Sequence, residues 1–172
     1  MKRDFLRLVK ELDEAELREE LRTLYERFPV LREYYRMELS GSTRAVVDKY
    51  KKSIRKAFFT GRRRMGKRCR SNSSRLLKEF AAVSIHTRDL VDLHFYRVAT
   101  MVEAMEHYGE DGEAFYKSMR SSFVRAADLA QAEVLLDSFR TPAEAIVQHF
   151  SRIDRHGGGG ELRRIFTDYW SA

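Results

Sequence analysis

The run Gly61-Arg62-Arg63-Arg64-Met65-Gly66-Lys67-Arg68 sets two glycines and a lysine at the spacing of a phosphate-cradling P-loop. A working P-loop also needs a Ser or Thr after the lysine to hold magnesium, and a strand before the first glycine. Here Arg68 stands in the hydroxyl position, and the residues before Gly61 read as a helix. The motif is therefore a coincidence of spacing, although its cations can still meet phosphate by charge. Cys69 lies among Lys67, Arg68 and Arg70, a setting that lowers a thiol pKa. With no histidine assigned to activate it, Cys69 reads as a surface thiol without a catalytic task.

Arg88 and His94 could together serve acid–base chemistry on RNA, the histidine moving a proton and the arginine steadying charge on phosphate. The stretch Arg88-Asp89-Leu90-Val91-Asp92-Leu93-His94 resembles the Arg, polar residue, spacer, His pattern of HEPN-type ribonucleases, which are also all-helical. Six residues of α-helix turn through about 600°, so one helix would carry the two side chains on different faces. A half-buried histidine bonded to a neighbour is the expected role of His94. Glu103 and His107 are four apart with Glu106 beside them, but a carboxylate-bridged di-metal bundle wants two Glu-x-x-His copies and has neither here. Pairing along the helix surface is the expectation. His156-Gly157-Gly158-Gly159 resembles a hydrolase oxyanion loop, yet no G-x-S-x-G nucleophile elbow accompanies it. The glycines read as a flexible connector. No catalytic residue, metal or cofactor is assigned, and the protein is expected not to be an enzyme.

Charge is the stronger signal. Residues 41–80 hold 14 Lys+Arg against 2 Asp+Glu, whereas residues 1–40, 81–120 and 121–172 carry net charges of −1, −3 and −1. The overall +7 thus comes from one segment. Clustered like charge repels itself, which points to a polyanionic partner, unless acidic helices elsewhere pair with it. The candidate nucleic-acid-binding residues are Lys49, Lys52, Arg55, Lys56, Arg62, Arg63, Arg64, Lys67, Arg68 and Arg70. Tyr50, Phe58 and Phe59 lie among them, at a helical spacing that suits a core better than base stacking.

The elements that must carry these residues are helices. Phe5, Leu6, Leu8, Val9 and Leu12 make a first apolar cluster. Asp13 opens an N-cap pattern ahead of Leu17, Leu21, Leu24 and Phe28, four side chains on one helical face. Pro29 suits the first turn of the next helix, which Ser40 and Gly41 end. A basic amphipathic helix follows from about Thr43 to Phe58, with Val47, Tyr50, Ile54 and Phe58 as its buried stripe. Gly61–Ser74 has no periodic stripe and reads as one long mobile loop, with helix resuming near Ser74. Thr87 caps a long central helix that Gly109 stops. Phe115, Met119, Phe123 and Ala126 mark another, and Val134, Leu135 and Phe139 a short one. Thr141-Pro142-Ala143-Glu144 reads as a capping box that starts a separate helix through Phe150. Leu162, Ile165, Phe166 and Tyr169 or Trp170 form the last. The expected fold is all-α: a single-domain, multi-helix bundle spanning 1–172, with a long central helix and a basic helix and loop at 44–78.

Lys49–Phe59 (KYKKSIRKAFF), Asp89–Val98 (DLVDLHFYRV), Tyr108–Met119 (YGEDGEAFYKSM) and Leu24–Tyr35 (LYERFPVLREYY) together resemble a bacterial family of uncharacterised all-helical proteins, a domain of unknown function. The resemblance implies a bacterial, single-domain helical protein and supplies no catalytic residues. The Arg62–Arg70 cluster is richer in arginine than that pattern.

The single cysteine excludes an intrachain disulfide and suits a reducing compartment. No window holds the roughly 18 apolar residues of a spanning helix, and the N-terminus carries no signal-peptide core. These features give a cytoplasmic protein with no membrane partner. It is expected to contact nucleic-acid backbone through the basic helix and loop. The alternatives are an adaptor that docks an acidic protein and, more remotely, a HEPN-like ribonuclease.

Overall fold

The computed structural model describes residues 1–61, 63–109, 112–155 and 157–171. Among them the chain forms nine α-helices and no strand: α1 (Lys2–Glu11), α2 (Glu14–Arg27), α3 (Pro29–Leu39), α4 (Arg44–Phe58), α5 (Cys69–Ala81), α6 (Thr87–Tyr108), α7 (Glu113–Ala132), α8 (Leu136–Ile153) and α9 (Gly158–Trp170). The all-α expectation holds. No helix of the described residues is long and apolar enough to cross a membrane.

Several boundaries follow from the local chemistry already noted. Asp13 accepts a bond from the Glu16 amide at 2.9 Å while Glu16 accepts from the Asp13 amide at 2.9 Å, a reciprocal capping box. Pro29 takes the first position of α3. Gly109 ends α6 at φ 63°, a left-handed conformation that glycine adopts without a Cβ clash. The cap residue of α6 is His86, and Thr87 is already its first helical residue.

Three expectations are corrected. The long loop is shorter, because α5 begins at Cys69 and not near Ser74. Its stripe, Cys69, Ser73, Leu77 and Phe80, is buried throughout, and the serine in it conceals the period. The separate helix at Thr141 does not exist: α8 starts at Leu136 and carries Pro142 inside it. The earlier turns remain helical because Phe139 is buried, stacked on Phe95 with centroids 5.5 Å apart. The glycine run is not a loose connector. Gly157 caps α9 at φ 83°, and Gly158–Gly160 form its first turn. A Cβ on Gly158 would lie 2.8 Å from the Tyr116 ring, and one on Gly159 would lie 3.1 Å from Ser151. The motif's His156 lies outside the described residues.

The core is built around α6, which packs on α4, α5, α7 and α8, while α9 closes against α7 and α8. Phe58, Phe80, Phe123, Phe150, Leu93, Met101 and Met119 are fully buried. Each contributes about 1.5–3 kcal/mol of transfer free energy. Trp170 joins Phe95, Phe123 and Phe166 at one end and donates its indole N–H to the Leu136 carbonyl at 2.8 Å. Arg97, in mid-α6, is 5% exposed. Its guanidinium donates to Ser73 on α5 at 2.9 Å, to Ser122 on α7, and to the Arg70 carbonyl at 3.3 Å.

Helices α1 and α2 stand apart from this core, which α3 reaches through Met37. α2 packs on α3, and α1 has no extended packing with any helix of its chain. Met37 is the one buried residue of α1 to α3 among those described. The apolar face of Leu17, Leu21, Leu24 and Phe28 forms as the spacing requires, but Leu21 and Phe28 remain exposed.

Candidate nucleic-acid interface

Helix α4 turns Val46, Val47, Tyr50, Ile54 and Phe58 into the core. Its cations then divide by partner. Lys49 bonds to Glu33 of α3, which also accepts from the Tyr50 hydroxyl at 2.9 Å. Burial pushes the Glu33 carboxyl up, but the bonds from Lys49 and Tyr50 outweigh it and hold the group below its ordinary range. Lys51 meets Asp92 of α6 at 2.6 Å and lies over the Tyr96 ring. Arg55 bonds to Glu103 of α6 and covers the Phe59 ring, its carbon 4.6 Å from the centroid. The bond to Glu103 raises the Arg55 pKa further. These three cations fasten α4 to α3 and α6. Lys52 and Lys56, one turn apart, are exposed and form no ion pair among the described residues.

The connection from α4 to α5 is tied at three points. The Tyr108 hydroxyl donates to the Gly61 carbonyl at 2.7 Å, the Gly66 amide donates to the Phe58 carbonyl at 3.1 Å, and Met65 packs on the core. Gly66 lies so close to α4 that a Cβ would stand 2.2 Å from the Ala57 carbonyl oxygen. The element before the motif is a helix, and the Gly66 amide is already spent on Phe58, so no phosphate-cradling loop is built here. Gly66→Ala is expected to lower stability by about 1–3 kcal/mol, because backbone must move to admit the methyl. Gly160→Ala, with nothing within 4 Å of the added carbon, should change it by less than about 1 kcal/mol. Denaturant melts of the two variants check this.

Arg63, Arg64, Lys67 and Arg68 are exposed on this connection and enter no ion pair among the described residues. Arg62 lies outside those residues. Arg70 is exposed but donates to the Ala114 carbonyl at the start of α7, at 2.7 Å. Lys78 of α5, absent from the sequence-derived set, is exposed and enters no ion pair among the described residues. Its signal was its place in the same basic segment. The surface-thiol reading of Cys69 is corrected: the residue is buried at 7% exposure, and burial raises its pKa despite Arg70.

The remaining candidates are dispersed. Arg88 is exposed and His94 half-buried on α6. Burial, with Arg97 and Arg125 nearby, pushes the His94 pKa down to about 4. Glu103 and His107 do not pair with each other. Glu103 takes Arg55, His107 lies tilted against Phe59 and edge-on to Tyr108, and Glu106 meets His149 of α8 at 2.8 Å. No group of three or more metal-binding side chains occurs among the described residues. A cleft of about 870 Å³ beside α4 is lined by Glu38, Asp48, Asp89 and Asp92 as well as Lys51 and Arg44, a mixture that disfavours phosphate.

A model of a family of unknown function, DUF6155, matches residues 1–166. The chain belongs to that family. The DUF6155 match takes in the N-terminal helices and the basic connection together with the core. No curated protein and no solved structure matches the chain.

Proposed function

We propose that the protein binds nucleic-acid backbone through Lys52, Lys56, Arg63, Arg64, Lys67 and Arg68. The observation that carries this reading is the division of cations. Lys49, Lys51 and Arg55 are consumed by carboxylates of α3 and α6, while these six are exposed and lack an ion pair among the described residues. Unpaired, clustered cations lower their mutual repulsion by meeting a polyanion, and each phosphate contact releases counterions. Arg62 belongs to the same segment. Lys49, Arg55 and Arg70 are already bonded to Glu33, Glu103 and the Ala114 carbonyl. The protein acts in the cytoplasm as a binding module and not as an enzyme. A ring whose pKa sits near 4 is a weak base at neutral pH, so labelled RNA is expected to stay intact.

Fluorescence anisotropy on single-stranded and duplex oligonucleotides tests the reading. Five phosphate contacts would give a log–log salt slope of about −4 to −5 on duplex and somewhat less on single strands. Replacing Arg63, Arg64, Lys67 and Arg68 by alanine should cut that slope by about 3 to 4. Lys49→Ala with Arg55→Ala should leave the slope in place and lower the melting temperature. A flat salt response sinks the proposal, and capture of an acidic polypeptide without nucleic-acid binding would favour the adaptor.

A further inference from the structure

Eleven of the twelve exposed large hydrophobic residues among those described fall within residues 1–39. Phe5, Leu8 and Val9 of α1, Leu21 and Tyr25 of α2, and Phe28 at the end of α2 are each 36–56% exposed. Taking about 150–250 Å² for a whole aromatic side chain, the arm leaves on the order of 800 Å² of apolar side chain in water. A standard interface covers about 800 Å² per partner. Helix α1 has ten residues and α3 eleven, short of the roughly 12–15 that make an isolated helix even marginal in water. Something must cover this face.

Charge selects the occupant. α1 carries four basic and two acidic residues, net +2, and α2 carries three basic and five acidic, net −2. A surface with one basic and one acidic half complements itself when turned through a two-fold axis, because each half then meets its opposite. An anionic bilayer would attract α1 and repel α2, although the apolar face belongs to both.

We infer that residues 1–39 form a self-association surface, on which α1 of one copy packs against α2 of a second copy of this chain. The pairing buries Phe5, Leu8, Leu21 and Phe28 at its centre and places the opposite charges at its rim. It gives α1 the packing its own chain does not supply. The DUF6155 match includes this arm.

Sedimentation velocity of the full chain at tens of micromolar tests this. The expected species has twice the 20.3 kDa chain mass. Leu8→Glu with Leu21→Glu should return the single-chain mass, with at least about a hundredfold rise in dimer Kd. Its far-UV spectrum should show the α4–α9 core intact, since both positions are exposed in the lone chain. Val134→Glu, at 92% exposure outside the arm, should leave the dimer unchanged. A charge exchange gives a second readout that does not depend on the apolar variant. Arg3→Glu with Lys10→Glu, and separately Glu20→Lys with Glu26→Lys, should each weaken self-association, and mixing the two variants should restore a mixed dimer. A wild-type chain that stays single overturns the inference, whether or not it pellets with phosphatidylglycerol vesicles. So does a dimer untouched by the arm substitutions.

Discussion

Ser73→Ala combined with Ser122→Ala is expected to lower the free energy of unfolding by about 3–5 kcal/mol, far more than two hydroxyls usually contribute. The reason is Arg97. Its guanidinium is buried in α6, and among the described residues no carboxylate pairs with it. It is held by the two serine hydroxyls and the Arg70 carbonyl. Burial pulls its pKa down to about 10, so it stays charged at neutral pH and needs those acceptors. Ser73 donates onward to Arg70 and Ser122 to Ser118, so neither hydroxyl depends on the arginine. Arg97→Met should therefore change stability by only about 1 kcal/mol, and adding it to the double alanine variant should recover most of the loss. Urea denaturation of the four proteins reads the cycle. Losses that simply add would show that Arg97 has found its charge balance elsewhere.

The second large effect is with pH. His94 has a folded pKa near 4, against about 6.5 in an unfolded chain. Between those values the unfolded chain binds a proton that the folded protein does not. The stability held above pH 6.5 is lost as pH falls towards 4, and no more is lost below it. The shift corresponds to about 3 kcal/mol. The ring is held neutral first by burial and then by the positive charges of Arg97 and Arg125. His94→Leu removes the titration. The unfolding free energy of the variant relative to wild type should therefore rise by about 3 kcal/mol as pH falls from 7 to 4, whatever the difference between the two proteins is at pH 7. Carboxylates such as Glu33, whose low folded pKa also makes stability fall with acid, act equally in both and cancel. Parallel profiles would refute the assignment.

Periodicity made most helices legible. The stripe Val47, Tyr50, Ile54 and Phe58 was readable because all four positions are apolar, and all four are buried. The start of α5 was hidden because the stripe there passes through Ser73, which is polar in order to hold Arg97. The start of α8 was hidden by Pro142, whose usual place is a first turn. There the burial of Phe139 and Ala143 on either side of Pro142 overrides the local signal. The face of α2 was legible as a face, but spacing shows only that apolar residues share a side, not what lies against it. The cations were legible as a set. Which of them are spent on Glu33, Asp92 and Glu103 depends on contacts between helices far apart in sequence, and no local pattern records them.

The tether of Gly66 to the end of α4 also bears on heat and entropy. A basic segment that is disordered until it meets its ligand must lose about 1–2 kcal/mol of backbone freedom per residue at that moment, and such coupled folding leaves a large negative heat-capacity change. Here Gly61 and Gly66 are bonded to Tyr108 and Phe58 before any ligand arrives. That ordering is completed when the domain folds. Calorimetry of the proposed polyanion binding should accordingly show a heat-capacity change near zero and a favourable entropy from released counterions. Loosening the tether would weaken binding while leaving every positive charge in place.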